Sequence, residues 1–375
     1  MSTRRASCIH NIDDARRLAK ARLPRMMFDF IEGASGDESL ATENNTAIKS
    51  VKLMPRVLLD VGSRNMSSSI MGMKTGLPFG IAPMGMCNLA WPGADFEMAD
   101  QARIRSMPHC LSTASSTALE KVIERSEGQS WFQLYASQEA FTLDLVERAK
   151  AAHYPVLILT VDVPILSNRV RDGRNGLKFP FNMGLRQFID FALHPRWSLT
   201  TAATGTPTTM NYETANVTTD FDRSASRGLA NWDFLRRLRD LWPGKLVVKG
   251  VCNVEDAAAI AAIGADAIYV SNHGGRQLNA GPPAITALSE IRDKIGPDFP
   301  LIFDSGIRHG EDIIKALAVG ADFVMVGRPM MLALGAAAGP GLSRMLDILT
   351  HDASIALGLT GLTDVKAVSR SILAK

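Results

Sequence analysis

A series of short runs that are apolar along their whole length, separated by alanine-rich helical stretches, dominates the chain from residue 78 onward. The runs lie at 78–83, 131–135, 156–162, 245–249, 267–271, 301–304 and 323–327. A strand apolar on both faces must be covered on both faces, which is the condition of a parallel sheet layered with helices. Residues 254–263 and 310–319 carry helical patterns between such runs. The phrases Ile263-Gly264-Ala265-Asp266 and Val319-Gly320-Ala321-Asp322 each place a glycine where a helix ends and the next strand begins. The alternation predicts α/β architecture, and over this length a (β/α)8 TIM barrel.

The 375 residues, 46% of them hydrophobic, suffice for one barrel with insertions. One domain is expected over 1–375, with a helical segment at 1–54 and the barrel from 55. In the helical segment, residues 13–23 are charged and Leu/Ala-rich, Pro24 opens a second apolar-periodic stretch at 26–31, and Gly33-Ala34-Ser35-Gly36 breaks it. One stretch does not fit the alternation. Residues 173–228 form a long excursion, rich in Thr and Asn from 200 to 219, and such a connection is either a functional loop or disordered. Within it, Leu185, Phe188, Ile189, Ala192 and Leu193 fall at helical spacing. Such a helix packs on the barrel or a neighbouring subunit, or lies on a membrane, although its few cations would attract anionic lipid weakly.

Composition excludes several classes. A net charge of +3 without any basic run argues against a nucleic-acid partner. Cys8, Cys87, Cys110 and Cys252 are far apart in sequence, which argues against a disulfide framework or a zinc site and for a reducing, cytoplasmic compartment. Arg4 and Arg5 are followed by no apolar stretch of the secretory kind, and no apolar run reaches the ~20 residues of a spanning helix.

In a barrel of this type the residues at the carboxyl ends of the strands face the active site. Here those ends read Asp162; Lys249; Ser271-Asn272-His273-Gly274-Gly275-Arg276; Asp304-Ser305-Gly306; and Gly327-Arg328. One polar residue after a strand is usually a cap, but five such ends in succession point to a site. Asp304-Ser305-Gly306-Ile307-Arg308 and Gly327-Arg328 supply backbone N–H groups and guanidinium forks suited to a phosphate. No G-x-G-x-x-G follows the first strand, so a Rossmann dinucleotide site is not supported. His273 is a candidate base, and Arg276 can hold a carboxylate.

The run from Ser271 to Leu278 resembles the signature of the FMN-dependent L-2-hydroxy acid oxidase/dehydrogenase family. Leu23-Pro24, Phe28-Asp29-Phe30, Trp131-Phe132-Gln133-Leu134-Tyr135, Leu159-Thr160-Val161-Asp162, Val248-Lys249-Gly250 and Asp304-Ser305-Gly306-Ile307-Arg308 resemble its further motifs in order. Ala90-Trp91-Pro92 and His194-Pro195-Arg196-Trp197-Ser198-Leu199 are most similar to the mandelate dehydrogenase branch. The resemblance implies FMN as cofactor and a barrel that oxidises a 2-hydroxy acid. It makes His273 the base, Asp162 its stabilising partner, Arg276 and Arg169 the carboxylate clamp, and Tyr135 the hydrogen-bond partner of the reacting oxygen. Lys249 would stand near flavin N1 and O2. Ser112, Gln133, Thr160, Ser271 and the backbone of Pro83, Met84 and Gly85 would hold the ring. Asp304 and Ser305 would stand at the ribityl chain, with Gly306, Arg308, Gly327 and Arg328 on the phosphate.

His273 would take either the Cα proton or the hydroxyl proton, and the sequence leaves both routes open. Phe30 stands where many members carry a substrate-binding tyrosine, Met84 where a Thr is common, Ala114 where some carry a tryptophan, and Asn279 where an Asp is usual. The electron acceptor implied is a quinone or another non-oxygen carrier; O2, as in an oxidase or a lactate-monooxygenase-like enzyme, is the alternative. A catalytically silent barrel that binds a phosphorylated ligand is a further reading. The resemblance also implies a homotetramer or larger assembly and peripheral contact with the inner face of the cytoplasmic membrane.

Overall fold

The structure, a computed structural model, describes residues 2–177, 183–217 and 226–374. Eight parallel strands close into a barrel: β1 (Phe79–Met84), β2 (His109–Ser112), β3 (Ser130–Leu134), β4 (Val156–Thr160), β5 (Lys245–Val251), β6 (Ala267–Val270), β7 (Leu301–Phe303) and β8 (Phe323–Val326). Each strand pairs with its sequence neighbours, and β8 closes onto β1 through Val324 opposite Phe79 and Val326 opposite Ile81. Helices such as Val254–Ala262, Ala284–Ile295 and Gly310–Val319 follow the strands. The first of these is capped by Asn253, whose side chain accepts from the N–H groups of Glu255 and Asp256; such a cap contributes about 1 kcal/mol.

The period-two pleat sorts the apolar residues into two cores. Ala82, Cys110, Trp131, Ile158, Val247, Tyr269, Ile302 and Met325 form the barrel interior. Their strand neighbours Ile81, Leu111, Phe132, Leu157, Leu159, Val248, Val270, Phe303 and Val324 pack outward against the helices. An antiparallel hairpin, Ser68–Ile70 with Met73–Thr75, contributes Ile70 to the interior core. Carried one step further along each strand, the inward parity reaches Met84, Ser112, Gln133, Thr160, Lys249, Ser271 and Asp304. The apolar interior therefore ends in a polar ring at the carboxyl ends of the strands.

Three elements differ from the sequence reading. Strand β2 was not anticipated, because His109-Cys110-Leu111-Ser112 is short and polar at both ends; burial makes it a strand. His109 is fully enclosed with Nδ1 3.2 Å from Ser130 Oγ, and burial pushes its imidazole down to about 3. Strand β5 runs past Lys249 to Val251, with the register shifting across Gly250, whose φ is +100°. The Thr-rich stretch is partly helical: Pro195–Thr204 runs into it and Met210–Glu213 forms within it. Buried Asn211 ties it to the barrel, donating to Ser115 Oγ (3.0 Å) and accepting from the Leu119 N–H (2.9 Å). Residues 178–182 and 218–225 of the excursion lie outside the described residues.

The expected helix is present as Leu185–Leu193, but its apolar face does not pack on the barrel: Leu185, Phe188, Ile189 and Leu193 are 77%, 58%, 50% and 73% exposed. Among the described residues no helix is long and apolar enough to cross a membrane. The C-terminal helical stretch Arg328–Leu359 breaks at Ala337 and Ala338, whose dihedrals are non-helical, just ahead of Pro340. Helix Ile12–Arg22 lies against it, with Arg22 donating to the Ala336 carbonyl at 3.0 Å.

Candidate active site

A cavity opens at the carboxyl ends of the strands. Its walls include Phe30, the β1 end at Pro83, Met84 and Gly85, Ser112, Tyr135, Arg169, Lys249, His273 and Arg276. Asp304, Ser305, Gly306, Arg308, Gly327 and Arg328 complete them. The structure thus gathers sixteen of the expected site residues around one space. Of the other four, Gln133, Asp162 and Ser271 are hydrogen-bonded to the lining residues Ser112, His273 and Lys249, and Thr160 lies opposite Lys249 in the β4–β5 pairing.

The turn after β6 places the imidazole. His273, Gly274 and Gly275 all have positive φ, at +57°, +65° and +78°. A left-handed non-glycine residue is uncommon and marks a conformation held by its surroundings. The turn packs tightly: a Cβ on Gly275 would lie 2.6 Å from the Ala41 backbone nitrogen. His273 Nδ1 lies 3.1 Å from both oxygens of Asp162. That carboxylate selects the tautomer with the proton on Nδ1 and leaves Nε2 with a lone pair, 3.4 Å from the Tyr135 hydroxyl.

Burial lowers the pKa of His273, outweighing the raising effect of Asp162, so the ring is neutral near pH 7 and free to accept a proton. Burial alone would raise Asp162, but the charges of His273 and Lys249 hold it below the ordinary carboxylate range. Lys249 is buried, yet Asp304 and Asp162 offset the burial and keep it an ammonium. Its Nζ donates to Ser271 Oγ at 3.0 Å, and Ser271 donates on to Asp304 at 2.6 Å. Asp304 also accepts from Tyr269 (2.8 Å) and from Ser305 (2.8 Å).

Where the loops after β7 and β8 line the cavity it is cationic. Arg328 donates to the carbonyls of Gly274 (2.8 Å) and Gly33 (3.0 Å), and Arg308 to that of Ile307 (2.9 Å). Burial, with Arg328 beside it, pushes the Arg308 guanidinium down to about 9. Two part-buried guanidinium groups near enough for one to lower the pKa of the other favour an anion beside them. The N-terminal helix Arg25–Glu32 closes the cavity from outside. Phe30 lines it, and the Phe30 and Gly33 carbonyls accept from Arg276 at 3.0 and 2.6 Å.

Sequence reading missed Tyr212 and Arg227, both cavity-lining and both within the excursion. A stretch without strand or helix periodicity carries no signal for which of its side chains will turn inward. Asn279, for which the sequence offered no role, anchors the neighbouring helix: it donates to Asp37 (2.6 Å) and Ser39 (2.9 Å). Among the described residues no cluster of His, Cys, Asp or Glu could hold a metal ion.

A barrel whose carboxyl-end cavity joins an anion-binding end to a polarised His–Asp pair defines an enzyme built around a phosphorylated cofactor. Residues 19–375 match the family model described as FMN-dependent dehydrogenase, and the chain belongs to that family. It is 35% identical over 370 residues to (S)-mandelate dehydrogenase of Pseudomonas putida, covering 97% of this chain and 94% of that one. It is 34% identical to L-lactate dehydrogenase of Caulobacter vibrioides (strain NA1000 / CB15N), covering 98% of each. The crystal structure of monotopic membrane protein (S)-mandelate dehydrogenase superposes with a TM-score of 0.92 at 34% identity, covering 98% and 99% of the two chains. A mandelate oxidase variant solved with (S)-mandelic acid gives 0.82 at 35% identity, covering 96% and 97%.

The residues present fit FMN. Gln133 Nε2 and Thr160 Oγ1 are buried near the carboxyl ends of β3 and β4 without a hydrogen-bond partner, although Gln133 Oε1 accepts from Ser112 at 2.8 Å. A buried amide N–H and hydroxyl left unsatisfied cost about 1–3 kcal/mol each, which polar ring atoms of a flavin would recover.

Proposed function

We propose that the protein oxidises L-2-hydroxy acids, with lactate, mandelate and longer-chain acids as candidates, to the 2-oxo acids. The observation that carries this reading is the His273 imidazole, held neutral by burial and oriented by Asp162, with Nε2 directed at Tyr135 in a cavity that also holds Arg169 and Arg276. Bound FMN supplies the two-electron acceptor for the substrate's Cα–H. Arg169 and Arg276 hold the substrate carboxylate, which fixes the orientation of the Cα–H and removes the entropic cost of aligning it. Tyr135 hydrogen-bonds the substrate hydroxyl. His273 Nε2 takes the proton, and Asp162 stabilises the imidazolium that results. Lys249 would present a fixed positive charge to the flavin pyrimidine edge, and Arg308, Arg328 and the Gly306 and Gly327 loops would hold the phosphate.

The test is His273→Gln. Flavin should remain bound, while its anaerobic bleaching by L-lactate or (S)-mandelate slows by about 10²–10⁴-fold; bleaching at the parent rate refutes the reading.

The acceptor we propose is a quinone or another non-oxygen carrier, reached from the cytoplasmic face of a membrane. The support is the apolar face of helix Leu185–Leu193, which projects to solvent in a chain similar to a monotopic membrane protein. Burying such a face in lipid returns about 25 cal/mol per Å². Phe188→Glu should abolish co-sedimentation with liposomes. The likeness to a mandelate oxidase supports O2 as the second reading. Reoxidation by a soluble quinone analogue, measured against air, decides between them. Self-association into a tetramer or larger assembly is part of the proposal. Its candidate contact is the exposed patch of Val57, Leu58 and Leu359, beside the hydrogen bond from the Arg56 N–H to the Leu359 carbonyl (2.9 Å).

A further inference from the structure

The turn that carries His273 is anchored from outside the barrel by the helix Ser39–Ser50. His273, Gly274 and Gly275 all have positive φ, so the turn makes no repeating backbone ladder and side chains take up its N–H groups. Ser305 Oγ accepts from the Asn272 and Gly274 N–H groups at 3.2 and 3.0 Å, and Ser271 Oγ from the His273 N–H at 3.0 Å. Asn272 Oδ1 accepts from the Gly275 N–H at 3.2 Å. That same oxygen accepts from Asn44 Nδ2 at 2.9 Å, and Asn272 Nδ2 donates back to Asn44 Oδ1 at 2.8 Å. Asn44 is 1% exposed, and its Oδ1 also accepts from the Ala284 N–H at 3.0 Å. A reciprocal amide pair thus joins residues 228 positions apart, one of them the neighbour of His273.

Ala41, Asn44 and Ile48 recur at the three- and four-residue spacing of a single helix face. Gly275 lies against Ala41, where a Cβ would come within 2.6 Å of its backbone nitrogen. Gly306, in the phosphate loop, lies against the same face: a Cβ on it would meet Ile48 Cδ1 at 2.8 Å and the Asn44 carbonyl oxygen at 3.1 Å. One helix face therefore supports both loops, the base turn through the Asn44 amide and the phosphate loop by packing. Asn272 cannot turn its amide over to suit a changed partner. Its nitrogen would then face the Gly275 N–H, and its oxygen the Pro282 carbonyl, which accepts from Nδ2 at 3.0 Å. We infer that Asn44 is a positioning residue for the base: acting through Asn272, it fixes the left-handed turn so that His273 Nε2 is aimed before the substrate arrives. The inference rests on the reading of His273 as the base. A side chain held by a turn moves with the turn, and displacing a reacting group by about 1 Å costs about a hundredfold in rate.

The experiment measures the limiting rate of anaerobic flavin bleaching by L-lactate and (S)-mandelate in the flavin-loaded enzyme. Asn44→Asp keeps the volume of Asn44 and the two bonds its Oδ1 accepts, but sets an oxygen against Asn272 Oδ1. The rate should fall by about ten- to a hundredfold, while FMN affinity by fluorescence titration stays at the wild-type value, because Gly306 rests on the helix by packing. Burial, Lys249 and Arg169 lower the His273 pKa, Asp162 raises it, and the Tyr135 hydroxyl faces Nε2. A turn that loosens the Asp162 contact should therefore move the acidic limb of the rate down. Asn272→Ala, made at a part-buried position and adding no charge, removes the partner and should reproduce both the loss and the displaced limb. In a His273→Gln background Asn44→Asp should add no further loss, because its effect passes through the base. A lowered melting temperature with the parent rate and pH profile in both variants makes Asn44 a structural contact and overturns the inference, as does a loss that multiplies that of His273→Gln. Bleaching of His273→Gln alone at the parent rate would instead overturn the reading of His273 as the base.

Discussion

Replacing Asp162 with Asn removes one charge and almost no volume, so its effect isolates what the carboxylate does for His273. Both Asp162 oxygens are 3.1 Å from Nδ1. Unit charges about 4 Å apart attract by about 4 kcal/mol at an effective dielectric of about 20. If the imidazole carries about half its charge at the transition state, about 2 kcal/mol is lost, or about thirtyfold in rate. Asn brings a second effect, because its amide N–H can donate to Nδ1 and move the imidazole proton onto Nε2, where the lone pair is needed. The two effects together place the expected loss at about 10²–10⁴-fold, the range of general-base catalysis. The assay is anaerobic stopped-flow bleaching of the flavin by L-lactate and (S)-mandelate across pH. The sign of the pH effect is also determined. Burial already holds the His273 pKa below its ordinary value, and Asp162 raises it. The base form exists above that pKa, so without Asp162 the acidic limb of the rate moves further down. A loss under threefold, or an acidic limb that moves up, would refute the role given to Asp162.

Other expectations test separate parts of the site. Gly250 has φ +100°, and a Cβ there would lie 2.5 Å from Asp162 Cβ and Cγ; Gly250→Ala should cost about 1–3 kcal/mol of stability and slow flavin reduction, and parent-like melting and rate would contradict it. Arg308→Met should weaken FMN binding by about ten- to a hundredfold while leaving riboflavin affinity unaltered, as fluorescence titration of the apoprotein would show; equal losses for both would remove Arg308 from the phosphate site. Phe30 lines the cavity and has no hydroxyl to offer a carboxylate, so Phe30→Tyr should raise kcat/KM for glycolate by about tenfold and for mandelate by less. No gain for glycolate would count against Phe30 as a wall of the substrate pocket.

The barrel was legible in the sequence because parallel strands covered on both faces are apolar throughout, and the runs at 156–162, 267–271 and 323–327 show that without ambiguity. The polar ring was legible for the same reason: a side chain that ends an apolar column faces the opening, which singles out Lys249, Ser271 and Asp304. His109–Ser112 escaped because a short strand framed by His and Ser is indistinguishable from a loop until its neighbours bury it. Helical spacing identified Leu185–Leu193, but spacing is equally consistent with a packed and an exposed face, and only the tertiary structure shows the apolar side turned outward. Arg227 and Tyr212 reach the cavity through the folding-back of the excursion, held by Asn211 to the end of β2 and by the Pro164 carbonyl. Local sequence determines which residues alternate and where a chain must turn. Which distant side chains meet is decided by closure of the barrel and by backbone hydrogen bonds between segments far apart in the chain, and no local pattern encodes those.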